Sequence, residues 1–285
     1  MIRLDAATVL LQWAVGGLLF CWVTTRRREV GLGYGWLLRG VFALMALGAA
    51  AAGSEAGRPS WLRDGAALAT ALAALVALAV SVVRRRAGVA GERHREERRA
   101  ARVAAMTGID RAAKVLDRTG PEFPPALDLV APALGLVGLV AAAHADGGPL
   151  GLAVARTLVG AVFLGAVTDA MLLGHWYLVQ PGLARGPLLE LVRWLMVAWP
   201  FEVAVMLAPT GMVSVFTGAV DDGWNGTMGW FWAACAVTTV VLAVVTRKAL
   251  EERAYSAVMA ATGLLYLAIL TAFGTDLVAR AVLAR

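Results

Sequence analysis

The chain has 285 residues, 60% of them hydrophobic and 16% charged, with a formal net charge of +6. At a mean hydropathy of +0.71 this excludes an ordinary soluble domain, in which about half the residues are apolar and about a quarter charged. Nor does the positive charge point to nucleic acid: the basic residues gather at alternating ends of long apolar runs, the arrangement that sets membrane orientation.

Eight apolar runs come close to or exceed the roughly 20 residues needed to cross a hydrocarbon core of about 30 Å. They cover about 6–24, 34–53, 64–84, 126–144, 151–179, 187–208, 227–246 and 255–279. The sequence therefore predicts an all-α polytopic membrane protein. The first run has no basic region ahead of it and ends in Thr-Thr-Arg-Arg-Arg, so a cleaved leader is not expected. Arg26-Arg27-Arg28, the Arg84 to Arg118 loop, Arg185 and Arg247-Lys248-Arg253 all fall on one side, the cytoplasmic one by the basic-residue rule. The opposite loops (SEAGRPSWLRDG, HADGG and TGAVDDGWNGTMG) are richer in acids. The expected setting is a bacterial cytoplasmic (inner) membrane with both termini outside. Arg280 and Arg285 run against this bias, and their long stems are expected to snorkel to headgroups.

Loop 84–125 is the largest polar piece. Its GERHREERRAARVAAMTGIDRAAKVL is rich in helix formers and Glu–Arg pairs, predicting an amphipathic cytoplasmic helix that Gly120-Pro121 and Pro124-Pro125 stop before the fourth run. Such a helix is a docking surface for protein subunits or anionic lipid, or simply a solvated basic loop.

The chain also carries signs of a duplication. EERRAARVAAMTG from Glu96 resembles EERAYSAVMAATG from Glu251; LLFCW (Leu18 to Trp22) resembles LLGHW (Leu172 to Trp176); LLRGVFALM (Leu37 to Met45) resembles LLELVRWLM (Leu188 to Met196). The three pairs occur in order at nearly constant separation. Four runs per copy is an even number, so both copies insert with the same polarity, as two tandem parallel four-helix repeats related by an axis along the membrane normal. The expected organisation is 1–125 for the first three runs with the basic loop, 126–150 for the fourth run and outer turn, and 151–285 for the second repeat. The second copy has His175, Glu190 and Arg193 where the first has Cys21, Arg39 and Phe42.

That second copy holds the most informative stretch, DAMLLGHWYLVQPGLARGPLLELVR from Asp169 to Arg193. Ionisable groups at membrane depth cost about 2.5–3.5 kcal/mol each on insertion scales, so they face a protein interior or a hydrated cavity. Counting along the runs sorts them by depth. His175, Tyr177, Glu190 and Arg193 form an inner layer, with Arg39 as a further contributor; Arg156 and Glu202 form an outer layer; Asp169 lies near mid-depth. The inner layer reads as a polar pocket for a quinone ring, with His175 and Tyr177 bonding its carbonyls and Glu190 relaying protons. Against this stands a structural Glu190–Arg193 ion pair with interfacial anchors. Arg156, Asp169 and Glu202 read as a proton or ion path, or as a salt bridge pinning helices. Pro200 is expected to kink the sixth run.

Cys21 and Cys235 stand alone, outside any metal or haem motif, and His94, His144 and His175 are too scattered in depth for an axial haem pair or a metal site. No catalytic signature is found. The expectation is a cofactor-less membrane subunit of a larger complex that interacts with quinone or quinol, its electron-carrying partner docked at loop 84–125. The alternatives are a small-solute or ion transporter, and a structural scaffold.

Overall fold

A computed structural model of the chain describes residues 5–55, 60–85, 100–101, 103–105, 123–145, 149–180, 182–252 and 254–284. The first helix, α1 (Ala6–Thr25), begins where the Asp5 carboxylate accepts from the Ala7 and Thr8 amides and the Thr8 hydroxyl. It is followed by α2 (Leu32–Glu55) and by α3 (Trp61–Val83), which Ser60 caps by accepting from the Arg63 amide. A 3₁₀ turn, Pro125–Leu129, runs into α4 (Val130–Ala145). Then come α5 (Leu150–Val179), α6 (Gly186–Leu207), the short α7 (Gly211–Phe216), α8 (Thr227–Glu251) and α9 (Tyr255–Leu283). These helices match the apolar runs to within a few residues. Most of the predicted amphipathic helix in loop 84–125 lies outside the described residues; residues 100–101 and 103–105 are helical.

Among the described residues, seven helices are long and apolar enough to cross a membrane: α1, α2, α3, Pro125–Ala145, α5, α8 and α9. The chain is an integral membrane protein. Helix α6 has 22 residues but carries Glu190, Arg193 and Glu202, and is not among the seven.

Packing is inverted relative to a soluble bundle. Helix α3 turns Ala67, Ala71, Ala74 and Ala77 inward and leaves Leu68, Leu72, Leu75 and Val76 outside. Without a hydrophobic drive between helices in lipid, small inward residues let backbones approach and gain dispersion contacts, while large apolar ones meet acyl chains. Helix α1 is apolar on every face and buried along most of its length, because it packs on α2, α4 and α5.

Neighbours follow chain order. Helices α1, α2, α3 and α4 pack in sequence, and α4 closes back on α1; α5, α6, α8 and α9 do the same, and α9 closes on α5. The halves meet chiefly where α1 crosses α5. A Cβ at Gly16 would lie 1.8 Å from the Ala161 carbonyl oxygen, and one at Gly165 would lie 2.3 Å from the Gly16 carbonyl carbon. Only glycine allows this crossing. It brings polar residues of α1 against α5 and α9.

Candidate functional site

Near the Asp5 end of the bundle, α1, α5, α6 and α9 enclose a buried polar cluster. On α9, Asp276 and Arg280 are one helical turn apart, and the Arg280 Nε donates to both Asp276 carboxylate oxygens at 2.9 Å. The two side chains are 0% and 1% exposed. Arg280 also donates through Nη2 to the Arg156 carbonyl at 3.1 Å, which ties α9 to α5. Gly160 makes room for this. A Cβ there would lie 2.2 Å from Gln12 Nε2, 2.9 Å from Asp276 Oδ1 and 3.0 Å from Arg280 Nη2, so groups from α1 and α9 converge on one bare backbone position of α5.

Glu202 of α6 joins the cluster, facing Asp276 and Arg280. It is fully buried, and neither carboxylate oxygen has a protein hydrogen-bond partner; the same holds for both polar atoms of the Gln12 amide. Leaving one buried polar group unsatisfied costs about 1–3 kcal/mol, more for a charge. A bundle that keeps four such atoms together in one seam forgoes stability there.

Arg156 and Glu202, expected as one layer, lie at similar depth but do not pair. The Arg156 guanidinium donates to the Val205 carbonyl at 2.8 Å and to the Ala208 carbonyl, serving the carbonyl oxygens that the last turn of α6 leaves without an intrahelical donor. A cation is also favoured there by the helix dipole.

Asp169 lies deeper along α5, completely buried, with both carboxylate oxygens lacking a protein partner. Cys21 of α1 and Tyr34 of α2 lie within its electrostatic reach, and the Tyr34 hydroxyl donates to the Asp169 backbone oxygen at 3.2 Å. One residue earlier, Thr168 Oγ1 accepts from the Trp13 indole at 2.9 Å. Asp169 is nine residues beyond Gly160 and so about 180° round α5 from it; the Gln12–Asp276–Arg280 cluster and Asp169 therefore lie on different faces of this helix.

The inner four residues are not gathered in one pocket. His175 is exposed, and its Nδ1 lies 3.0 Å from the Tyr266 hydroxyl on the outward side of α5 and α9. Tyr177, two residues on and hence about 200° round the helix, is buried and donates to the Ala184 carbonyl, pinning α5 to its own turn. Glu190 pairs not with Arg193 but with Arg26 at 2.6 Å and Arg27 at 3.5 Å, while Arg193 is exposed. Arg39, expected beside Glu190, instead makes a bidentate pair with Asp128, at 2.7 and 2.6 Å, under the Phe123 ring.

Gln12, Asp276 and the Asp128 partner of Arg39 do not figure among the candidates read from the sequence, and Arg280 figures only as a snorkelling residue. The structure corrects that: Arg280 is buried and ion-paired. Its signal was the i, i+4 acid–base spacing, which a helix ended at residue 279 cuts in two. Among the described residues no cluster of three or more His, Cys, Asp or Glu side chains is placed to hold a metal. No protein-family model, curated protein or solved structure matches the chain.

Proposed function

We propose that this is an eight-span protein of a bacterial inner membrane, both termini outside, whose two like-oriented four-helix units conduct protons or small cations along the seam between them. The common neighbour order of α1–α4 and of α5, α6, α8 and α9 supports the repeat, with α6 as the eighth span. The crossing is not at equivalent positions. Aligning LLFCW with LLGHW pairs Gly16 with Ala170, whereas Gly16 meets Ala161 and Gly165, so one unit is displaced along the membrane normal.

The carrying observation is Glu202, a completely buried carboxyl that faces Asp276 and Arg280 and whose oxygens accept no hydrogen bond from the described residues. Ionisable groups held at membrane depth away from lipid mark ion and proton routes, and Asp169, about 13.5 Å further along α5 than Gly160, is a second completely buried carboxyl of this kind. Reconstitution into liposomes with an entrapped pH dye and an imposed potential tests this. Flux above that of empty vesicles, cut at least tenfold by Glu202→Gln and by Asp169→Asn, is expected. Flux no greater than that of empty vesicles would overturn it.

A second reading rests on the His175–Tyr266 bond, which presents an imidazole and a phenol on the outward face of the helices. That pair suits a quinone or quinol arriving through lipid, with this chain a cofactor-less subunit and its electron partner docked at loop 84–125. Quinone co-purifying with the native protein and lost from Tyr266→Phe supports it; quinone absent from both preparations counts against it.

A further inference from the structure

We infer that Glu202 and Asp276 share a single exchangeable proton beside Arg280, and that a proton, rather than a metal cation, is the ion this seam takes. This rests on the reading of the seam as a conducting site and names what it conducts.

The argument is one of charge and donors. Two ionised carboxylates against one guanidinium leave a buried net negative charge, and like charges that face one another disfavour double ionisation. Among the described residues no further cation faces Glu202. From α9 come Asp276 and Arg280, and Arg280 is already engaged with Asp276 and the Arg156 carbonyl. From α5, Arg156 is turned to the α6 carbonyls. Helix α8 keeps its charges, Arg247, Lys248 and Glu251, at the far end; the adjoining α7 has none; α1 offers only Gln12. One proton neutralises the group.

Gln12 is suited to both positions of that proton, since its amide donates to a carboxylate through nitrogen and accepts from a carboxylic acid through oxygen. A hard metal ion is poorly served: calcium takes six to eight oxygen ligands, whereas here two carboxyls and one amide share the space with a guanidinium. Transfer is a simple exchange. The Glu202 O–H bond breaks as an Asp276 O–H bond forms, Arg280 stays protonated, and its electrostatic preference passes from Asp276 to the newly ionised Glu202.

Infrared spectroscopy of the full chain in lipid nanodiscs tests this directly. The wild type should show a protonated-carboxyl stretch that shifts in deuterium oxide, is lost in Glu202→Gln and persists in Asp169→Asn. Gln12→Leu keeps both acids and should move that band without abolishing it, which covers the case of Glu202→Gln failing to fold. A spectrum unchanged by Glu202→Gln, a band unmoved by Gln12→Leu, or loss of the band on adding sodium chloride at fixed pH each overturns the inference. The expected band together with silent liposomes would leave the shared proton standing and remove only conduction.

Discussion

The two halves of the molecule treat buried charge in opposite ways. In α1–α4, Arg39 is locked to Asp128 and Arg63 to Asp5 and Asp64, with each contact between 2.6 and 2.8 Å. In α5–α9, Asp276 and Arg280 pair, but Glu202 and Asp169 are as deeply buried with no protein partner. Both halves spend buried ionisable groups, yet only the first uses them all as pins. Under the proposed function, the difference separates charge that holds helices together from charge kept available for chemistry, and each expectation below is a way to break or sharpen that separation.

The largest effect should come from the pinned half. Asp128→Ala leaves the Arg39 guanidinium buried without its bidentate partner, and removing one member of such a pair costs about 3–5 kcal/mol. Replacing both, as Arg39→Met with Asp128→Leu, should recover most of the loss, because neither charge then needs a partner. Unfolding in mixed micelles of rising denaturing detergent reads both. If Glu202→Gln proved as destabilising as Asp128→Ala, the separation would be broken.

Next comes the joint between the halves. Gly16→Ala sets a Cβ against the Ala161 backbone oxygen, which cannot rotate away, so α1 and α5 must part, at a cost of about 1–3 kcal/mol. Gly40→Ala on α2 meets nothing within 4 Å and should be neutral or slightly stabilising. Parting the helices also disturbs the seam at Gln12, so Gly16→Ala should impair flux as well as stability, and Gly40→Ala neither. Smaller still are the inner-layer residues. The Arg26–Glu190 pair is partly exposed at 24% and 20%, so Glu190→Ala should cost at most about 1 kcal/mol. His175→Ala, on an exposed face, should stay within about 0.5 kcal/mol of wild type.

How much of this was legible beforehand follows from which physics each feature obeys. The helices were, because a lipid core demands long apolar runs with fully bonded backbones. The burial of Asp169, Glu202 and Arg156 was legible for the same reason. Their partners were not. Asp128 meets Arg39 only because the 3₁₀ turn that holds it packs on α1, beside α2, and Glu190 meets Arg26 rather than Arg193 because α1 ends beside the start of α6. Helical phase misled at His175 and Tyr177, which share a depth but point to opposite sides. Gln12 gave no signal at all: a lone amide in an apolar helix is unremarkable until Gly160 is seen to open space against it.

The smallest expected effect lies outside the membrane helices, in the loop before α8, and it gives the pinned kind of charge a pH signature. Four residues there have left-handed backbone, Gly218 (φ 73°), Gly223 (φ 72°), Asn225 (φ 53°) and Gly226 (φ 79°). Asp222 holds this turn by accepting from the amides of Trp224 at 2.8 Å and of Gly226 and Met228 at 2.9 Å. Burial is the largest single influence on the Asp222 carboxyl and pushes it up, but several amide donors act together against it. The amide donors outweigh it and hold the group below the usual carboxylate range. A carboxylate depressed in the folded state contributes its full stabilisation above the unfolded value of about 3.9 and loses it as pH falls through the lower folded value. The Trp224, Gly226 and Met228 amides should therefore stay protected from hydrogen exchange until the solution is more acidic than an ordinary aspartate titration, then open together. Asp222→Asn should weaken protection at every pH, since its amide nitrogen confronts one of the donors, and should erase the acid-dependent step. A step that survives in Asp222→Asn would assign it to another group, and Asp222 would no longer belong with the charges that hold structure.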